Sequence, residues 1–480
     1  MATISSPGLG SGLDVNSIVS QLVALERRPI DLLQQQQAAL QAKLSAFGLL
    51  QSYTVNVRDA VARLAEPDLW TAPKATSSAA AVTASASAGA TPGTYQVQVN
   101  RLAQAHALAS SAYPVSSAPT GSGTLHIELG AWDDGLTSFT RKSGTSAVDI
   151  VIPPGADSLE QVRAAVNAAG AGVTASIVND ASGARLVLRS SATGAGQALR
   201  ITTTPDAPAA PGGPTLDALA FDPPASGASG LQQTMAALDA SVTVDGLEIS
   251  SAGNTLNGVV DGLNLTLTAT TTAPVSVSVA LDSASIRTKI DDFVKAYNEI
   301  NRYLHDQTKY DPDTKKGGTL QGDAATRTVM NQLRMALTQA RGSAGSLRQL
   351  SDVGLQLQRD GSLKVDAGKL DAALADPAAV QAAFSADEQG VANDGFAVRI
   401  KALTGLLTNS DGPISTRTDG LRTSISRADK QIARYEDRIT QTQARLLRQY
   451  SALDTTLSQL QGLNSYVTQQ IANWNRDTSR

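Results

Sequence analysis

The sequence predicts an α+β multidomain protein in which terminal coiled-coil helices and a helical bundle domain enclose inserted β-rich domains. Three observations predict it. Toward the C-terminus apolar residues recur in alternating steps of four and three, through Leu421, Ile425, Ala428, Ile432, Tyr435, Ile439, Thr442 and Leu446 and on to Leu453, Leu457, Leu460, Val467 and Trp474. That is the period of a coiled-coil seam. A matching seam lies near the N-terminus, with Leu33, Leu40, Phe47 and Val61 on a seven-residue grid and Leu50, Val57 and Leu64 forming a second column. Between them, a long stretch rich in Gly, Thr, Ala and Val alternates apolar and polar residues, the period of half-buried strands.

Residues 1 to 12 hold Gly8, Gly10 and Gly12 beside Ser5, Ser6 and Pro7 with no periodic apolar face, and read as a tail that is mobile until bound. Asp14 or Asn16 can cap the helix that follows, because a short side-chain oxygen reaches the orphan amides of the first turn. Ile18, Leu22 and Leu25 give that helix one apolar face. Pro29 lacks an amide donor and clashes with the preceding turn, so a break near Arg28 is expected, followed by a second long helix to about Glu66. Gln36 and Lys43 stand in the second seam column, where polar residues trade stability for register or loose pairing.

After Pro67 the period changes to two. Tyr95, Val97 and Val99 alternate, as do Leu125, Ile127 and Leu129; Val242 and Val244 are joined to Leu247 and Ile249 by Asp245-Gly246, a two-residue hairpin signal. Leu263, Leu265 and Leu267 follow a second Asp-Gly, and Val275, Val277 and Val279 follow Pro274. Within this region, Pro153-Pro154-Gly155 and the Pro/Gly-rich stretch 205–230 edge an insert. Its centre reads strand (148–152), helix (158–169, with Ser158 and Gln161 as a capping box), strand (173–178), turn, strand (185–189). Helical period returns with Ile286, Ile290, Phe293, Val294, Tyr297, Ile300 and Leu304, and a short β element follows at 354–365.

Composition narrows the function. Thirty-nine Lys and Arg against 43 acids leave a net charge of −4, and between Arg200 and Arg287 there are eight acids and no base, so a phosphate-tracking surface cannot be built there. No apolar run approaches the roughly 18 residues of a membrane span. The first basic residue, Arg27, follows the first apolar stretch and does not precede it, so a cleavable signal peptide is not indicated. Cysteine is absent, which suits a cytosolic chain and equally one threaded unfolded through a narrow export channel.

A catalytic or metal centre is hard to assemble. His106, His126 and His305 are far apart in sequence and outside any metal-ligand spacing, and each reads as structural. Neither a nucleophile elbow nor a P-loop occurs, and Leu13 stands where a dinucleotide loop would place its last glycine. Asp311-Pro312-Asp313 opens like a calcium loop, but Lys315 and Lys316 occupy its middle, so a solvent turn is expected. No cofactor and no metal are expected. The arginines at 417, 422, 427, 434, 438, 445 and 448, interspersed with acids, read as the solvated flank of a coiled coil or a partner surface.

The segment from Ser11-Gly-Leu-Asp-Val-Asn-Ser-Ile-Val to Leu25-Glu-Arg-Arg-Pro-Ile30 resembles the opening of the bacterial flagellar hook-associated protein 2 family, the filament cap proteins. Ala90-Thr-Pro-Gly-Thr-Tyr-Gln-Val-Gln-Val99, Asn254-Thr-Leu-Asn-Gly-Val-Val-Asp-Gly-Leu263, Phe293-Val-Lys-Ala-Tyr-Asn298 and Val353-Gly-Leu355 with Asp360-Gly-Ser-Leu363 resemble that family's later landmarks, in order. In the insert, Leu159 to Asn167 followed by Val173 to Val178 is similar to a repeat shared by flagellins and hook-associated proteins, with Val166-Asn167 where that repeat has Ile-Asn.

The resemblance implies a non-enzymatic protein, secreted unfolded through the flagellar type III export apparatus with a cytosolic export chaperone. It would assemble as a closed ring of about four to six copies at the distal filament tip. Its partners would be itself, flagellin and the hook-associated junction proteins, with no nucleic acid and no membrane. The expected domains are 1–42 plus 410–480, a terminal coiled-coil leg; 43–72 plus 282–409, a helical bundle; 73–113 plus 237–281, a β-rich domain; and 114–236, an inserted β-rich domain. The expected filament and oligomer interface is the helical seams: Ile18, Leu22, Leu25, Leu33, Leu40, Phe47, Ile425, Ile432, Ile439, Leu446, Leu453, Leu457 and Leu460. The alternatives are an extracellular adhesion module and a hook–filament junction protein.

Overall fold

A computed structural model describes residues 14–206, 213–223, 230–342, 347–388 and 393–477; the glycine-rich stretch before Leu13 lies outside them. The chain divides into two compact units, Met1–Trp70 with Ser283–Arg480, and Thr71–Asp282.

In the first unit, α1 (Val15–Glu26) is capped by Asp14, whose carboxylate accepts the Ser17 N–H at 3.0 Å. It stops at Arg27, and α2 (Arg28–Leu64) starts with Pro29 in its first turn, where the missing N–H costs nothing. The expected break is therefore present, only one residue wide. The apolar face of α1 differs from the expected one. Val15, Val19 and Val23 are buried, whereas Ile18 is half-buried and Leu22 and Leu25 are exposed.

The remaining helices are α4 (Ser283–Thr308), α5 (Ala324–Thr338), α6 (Ala367–Leu374), α7 (Pro377–Ser385), α8 (Phe396–Thr408) and α9 (Pro413–Asp477). The inner half of α2 packs against α4, α8 and α9. Phe47, Leu50, Val57, Val61 and Leu64 are fully buried there, as are Ile286, Ile290, Phe293 and Ile300 of α4. Polar ties fix the bundle. The buried Trp70 donates to the Leu64 carbonyl at 3.1 Å and stacks on Phe384. The Tyr303 hydroxyl donates to the Ala46 carbonyl at 2.7 Å, and burial pushes its pKa up to about 12. Asp323 caps α5 through the Ala325 and Thr326 amides and accepts from Arg417 Nε at 2.8 Å, joining the start of α9 to the bundle. The Asn298 amide makes two hydrogen bonds to the backbone of Leu363, seating the hairpin β17 (Leu355–Leu357) and β18 (Leu363–Val365). Asp311 accepts from the amides of Asp313 and Thr314 in a tight solvent turn.

The second unit holds two apolar cores. One lies between a five-stranded antiparallel sheet, β1 (Pro73–Ser77), β16 (Val275–Leu281), β3 (Gly93–Arg101), β12 (Ala240–Val244) and β13 (Leu247–Ser251) in spatial order, and a three-stranded sheet of β14 (Thr255–Val260), β15 (Leu263–Leu267) and β2 (Val82–Ala86). Both Asp-Gly pairs sit where expected. Asp245 and Gly246 adopt φ of 48° and 86° between β12 and β13, the left-handed pair that a twisted two-residue hairpin needs. Gly262 has φ 72°, and a Cβ there would come within 2.7 Å of the Ala90 backbone.

The other core belongs to the insert. β10 (Ala198–Pro205), β5 (Gly123–Trp132) and β6 (Phe139–Arg141) form one sheet, with β7 (Val148–Ile152) also paired to β5; β11 (Leu231–Met235), β4 (Ala107–Ser110), β9 (Gly183–Ser190) and β8 (Val173–Asp180) form the other. Helix α3 (Leu159–Ala168) begins with the expected capping box and packs Leu159, Val162 and Val166 into this core. Asn167, singled out in the flagellin-like repeat, clasps β8 by donating to the Ala175 carbonyl at 2.9 Å and accepting the Ala175 N–H at 2.8 Å. His106 is buried, and its Nδ1 accepts the Leu199 N–H at 2.9 Å, so the ring is neutral with its proton on Nε2. Burial drives its pKa from 6.5 to about 4, against a smaller opposing pull from Gln233.

Two outcomes are expected. Asn167→Ala leaves both backbone groups of the buried Ala175 unpaired and costs about 2 kcal/mol, against about 1 kcal/mol for Ser158→Ala at the helix cap; urea midpoints at unchanged m-value measure both. The unfolded chain takes up a proton at His106 near pH 6.5 while the folded state resists until about 4. Stability is therefore lost as pH falls through that window, by roughly 3 kcal/mol. His106→Gln keeps an acceptor for Leu199 and should flatten the difference between urea midpoints at pH 7 and pH 4.5.

Candidate assembly interface

Helix α9 runs for 65 residues, roughly 100 Å at about 1.5 Å per residue. Its cover is much shorter. The first turns rest on the bundle, where Leu421 and Ala428 are buried. Further along, Val15, Val19, Val23 and Ile30 close over Ile439, flanked by Ile432, Tyr435, Leu446, Leu447 and Tyr450. Gln37 of α2 donates to Asp429 across the same pair of helices.

Past Tyr450 the apolar stripe continues on an exposed helix. Leu453, Leu460, Leu463, Tyr466, Val467, Ile471 and Trp474 all lie in water, with Leu463 62% and Ile471 52% exposed. An exposed apolar stripe of this kind makes the distal helix a candidate interaction surface. Its flanks are also distinctive. From Ser451 to Asn475 the only charged residue is Asp454, whereas residues 413 to 450 carry eight bases and four acids. The tail of α9 thus presents apolar area framed by Gln, Asn, Ser and Thr.

A second exposed apolar set lies at the α1–α2 junction, where Leu22, Leu25 and Leu32 face solvent. Beside it Pro29, Leu32 and Leu33 of α2 and Tyr435 of α9 line a groove bordered by Arg434 and Arg438.

The expected seam residues therefore fall into three groups. Phe47 and Ile439 are committed to intrachain cores; Ile18, Leu33, Leu40, Ile425, Ile432, Leu446 and Leu457 are half-buried; Leu22, Leu25, Leu453 and Leu460 are exposed. Sequence reasoning passed over Val15, Val19 and Val23, whose four-residue spacing was the available signal, and over Leu463, Tyr466 and Ile471, which a strict seven-residue step from Leu453 misses. Among the described residues no group of three or more His, Asp or Glu side chains could hold a metal ion, and no helix is long and apolar enough to cross a membrane. His126 bonds Asp149 at 2.6 Å and Thr204 at 2.9 Å across three adjacent strands, a ladder contact of the insert.

Comparison with known proteins gives the geometry its context. Residues 11–106 match the model of the flagellar hook-associated protein 2 N-terminus, residues 237–462 that of its C-terminus, and residues 137–192 the flagellin hook IN motif. The chain is 32% identical to the B-type flagellar hook-associated protein 2 of Pseudomonas aeruginosa, over 98% of each chain. It is 31% identical to the flagellar hook-associated protein 2 of Escherichia coli, over 98% of this chain and 99% of that one. The crystal structure of the D1-D2-D3 domains of the E. coli flagellar cap protein FliD superposes with a TM-score of 0.58 at 28% identity, covering 78% of this chain and 99% of that chain. Two family models spanning most of the chain, and relatives above 30% identity along nearly all of it, establish that it belongs to the flagellar hook-associated protein 2 family.

Proposed function

We propose that the chain caps the distal tip of the bacterial flagellar filament, where it keeps flagellin from leaking into the medium and promotes its polymerisation, and that it docks there through the distal stripe of α9. The observation that carries the docking role is the exposed apolar stripe from Leu453 to Ile471 on the distal stretch of α9, whose only charge from Ser451 to Asn475 is Asp454. The relatives of known structure that are described as flagellar cap proteins support the capping role, and nothing in the matches favours an adhesion module.

The stripe suits a seat that must be held and then given up. Each large side chain contributes about 1.5 to 3 kcal/mol when fully buried, so a few of them hold the protein firmly. Ion pairs along the flanks of a helical seam select one partner and one register. Here Gln459, Gln461, Gln469 and Gln470 offer none, so the contact can be released and remade a step further on. A ring of several copies of the chain would bring as many such tails to the filament end. The same reading includes export in an unfolded state through the flagellar type III apparatus, delivered by a cytosolic chaperone, and contact with the hook-associated junction proteins before filament growth. The absence of cysteine fits that route, since no disulfide can form to obstruct a narrow channel.

Leu453 is exposed and Leu457 half-buried, so Leu453→Asp with Leu457→Asp should leave the melting profile of the purified protein unchanged within about 0.5 kcal/mol. The same pair should abolish docking, so that cells carrying it release flagellin into the medium and lose motility. Normal filaments from the double variant would overturn the proposed seat. As a contrast, Val19→Asp buries a charge against Ile439 and should unfold the α1–α9 contact itself, read as new protease cleavage within residues 14–27.

A further inference from the structure

Helices α2 and α9 run antiparallel. Gln37 of α2 meets Asp429, while Pro29 and Leu33, earlier on α2, stand beside Tyr435 and Arg438, later on α9. The furrow between two antiparallel helices is the seat that a third helix takes in a bundle. Here Pro29, Leu32, Leu33 and Tyr435 floor a groove of about 480 Å³. Leu32 remains 66% exposed, so none of the described helices fills the seat. Leu22 and Leu25, exposed at the α1–α2 junction beside it, extend the apolar track.

The charges at the rim decide what can sit there. Arg434 and Arg438, one turn apart on α9, are the only charged residues among those that line the groove. Both are exposed, and neither makes an ion pair among the described residues, whereas Arg417 meets Asp323 and Arg422 meets Asp419 further back on the same helix. Two free cations at this spacing match carboxylates four residues apart on a facing helix, because residues at that step share one face. The apolar floor asks the same helix for leucine-sized side chains at steps of three and four. The distal stripe of a second copy fits less well, since Asp454 is its only charge from Ser451 to Asn475.

We propose that the groove between α2 and α9 receives an amphipathic helix of another protein, with leucine-sized residues on its apolar face and acids four residues apart on its flank. The leucines would pack on Leu32, Leu33 and Tyr435, and the acids would pair with Arg434 and Arg438. The groove lies apart from the distal stripe, and the proposal does not rest on the capping role.

Two labelled synthetic helices test it, with identical leucines at steps of three and four and with either Glu or Lys on the flanks. Titrated with the full-length chain and followed by fluorescence anisotropy, the Glu peptide should bind about tenfold more tightly than the Lys peptide. The chain's net charge of −4 works against that order, so the preference reports the groove and not the whole protein. Arg434→Glu with Arg438→Glu should reverse it, and Leu32→Ser should weaken the Glu peptide about tenfold by removing apolar contact. All three positions are exposed, so unchanged melting profiles confirm that the variants fold. Equal binding of the two peptides, binding of neither, or an order untouched by the charge reversal would overturn the proposal. Sedimentation in which the wild-type chain self-associates and Leu32→Ser does not would overturn it too, by making a second copy the occupant.

Discussion

The packing of the inner half of α2 on α4, α8 and α9 is the constraint on which the rest of the helical unit depends, because it brings together the terminal segments whose contact, Val15, Val19 and Val23 on Ile439, joins opposite ends of the chain. Closing so long a loop is entropically costly for a contact of a few side chains. The bundle removes most of that cost beforehand. With α2 packed on α4, α8 and α9, and with Arg417 tied to Asp323, the two terminal segments already emerge side by side.

Much of this architecture was legible in the sequence, and the reasons are local. Strand alternation, the Asp-Gly hairpins, the Ser158–Gln161 capping box and the Pro29 break are written within a few residues of where they act, and the structure places each as read. The face of α1 was not legible from hydrophobicity alone, because Ile18, Leu22 and Leu25 form as good a stripe as the valines. What separates them is the surface of α9, against which the smaller valines sit and the leucines do not. A similar difference appears on α2, where Gln37 and not Gln36 reaches α9.

The division of labour along α9 follows from charge as much as from hydrophobicity. Its proximal part, with eight bases against four acids, stays well hydrated on its outer side while its inner side is covered by the chain's own helices. Its distal part has little cover and, from Ser451 to Asn475, the single charge of Asp454. The distal surface is therefore hydrated through the polar amides and hydroxyls that frame the stripe, a weaker safeguard against association than a charged surface.

The antiparallel pairing of β1 with β16 sets Pro73 opposite Leu281, so the chain enters and leaves the β-rich unit through two neighbouring strands. Inside that unit the pattern recurs, with Gln104 bridged to Leu238 where the insert begins and ends. The two ends of each module thus lie side by side along the chain, in the manner of nested parentheses. Evolution can lengthen, trim or exchange what lies between such a pair without rerouting the chain that carries it.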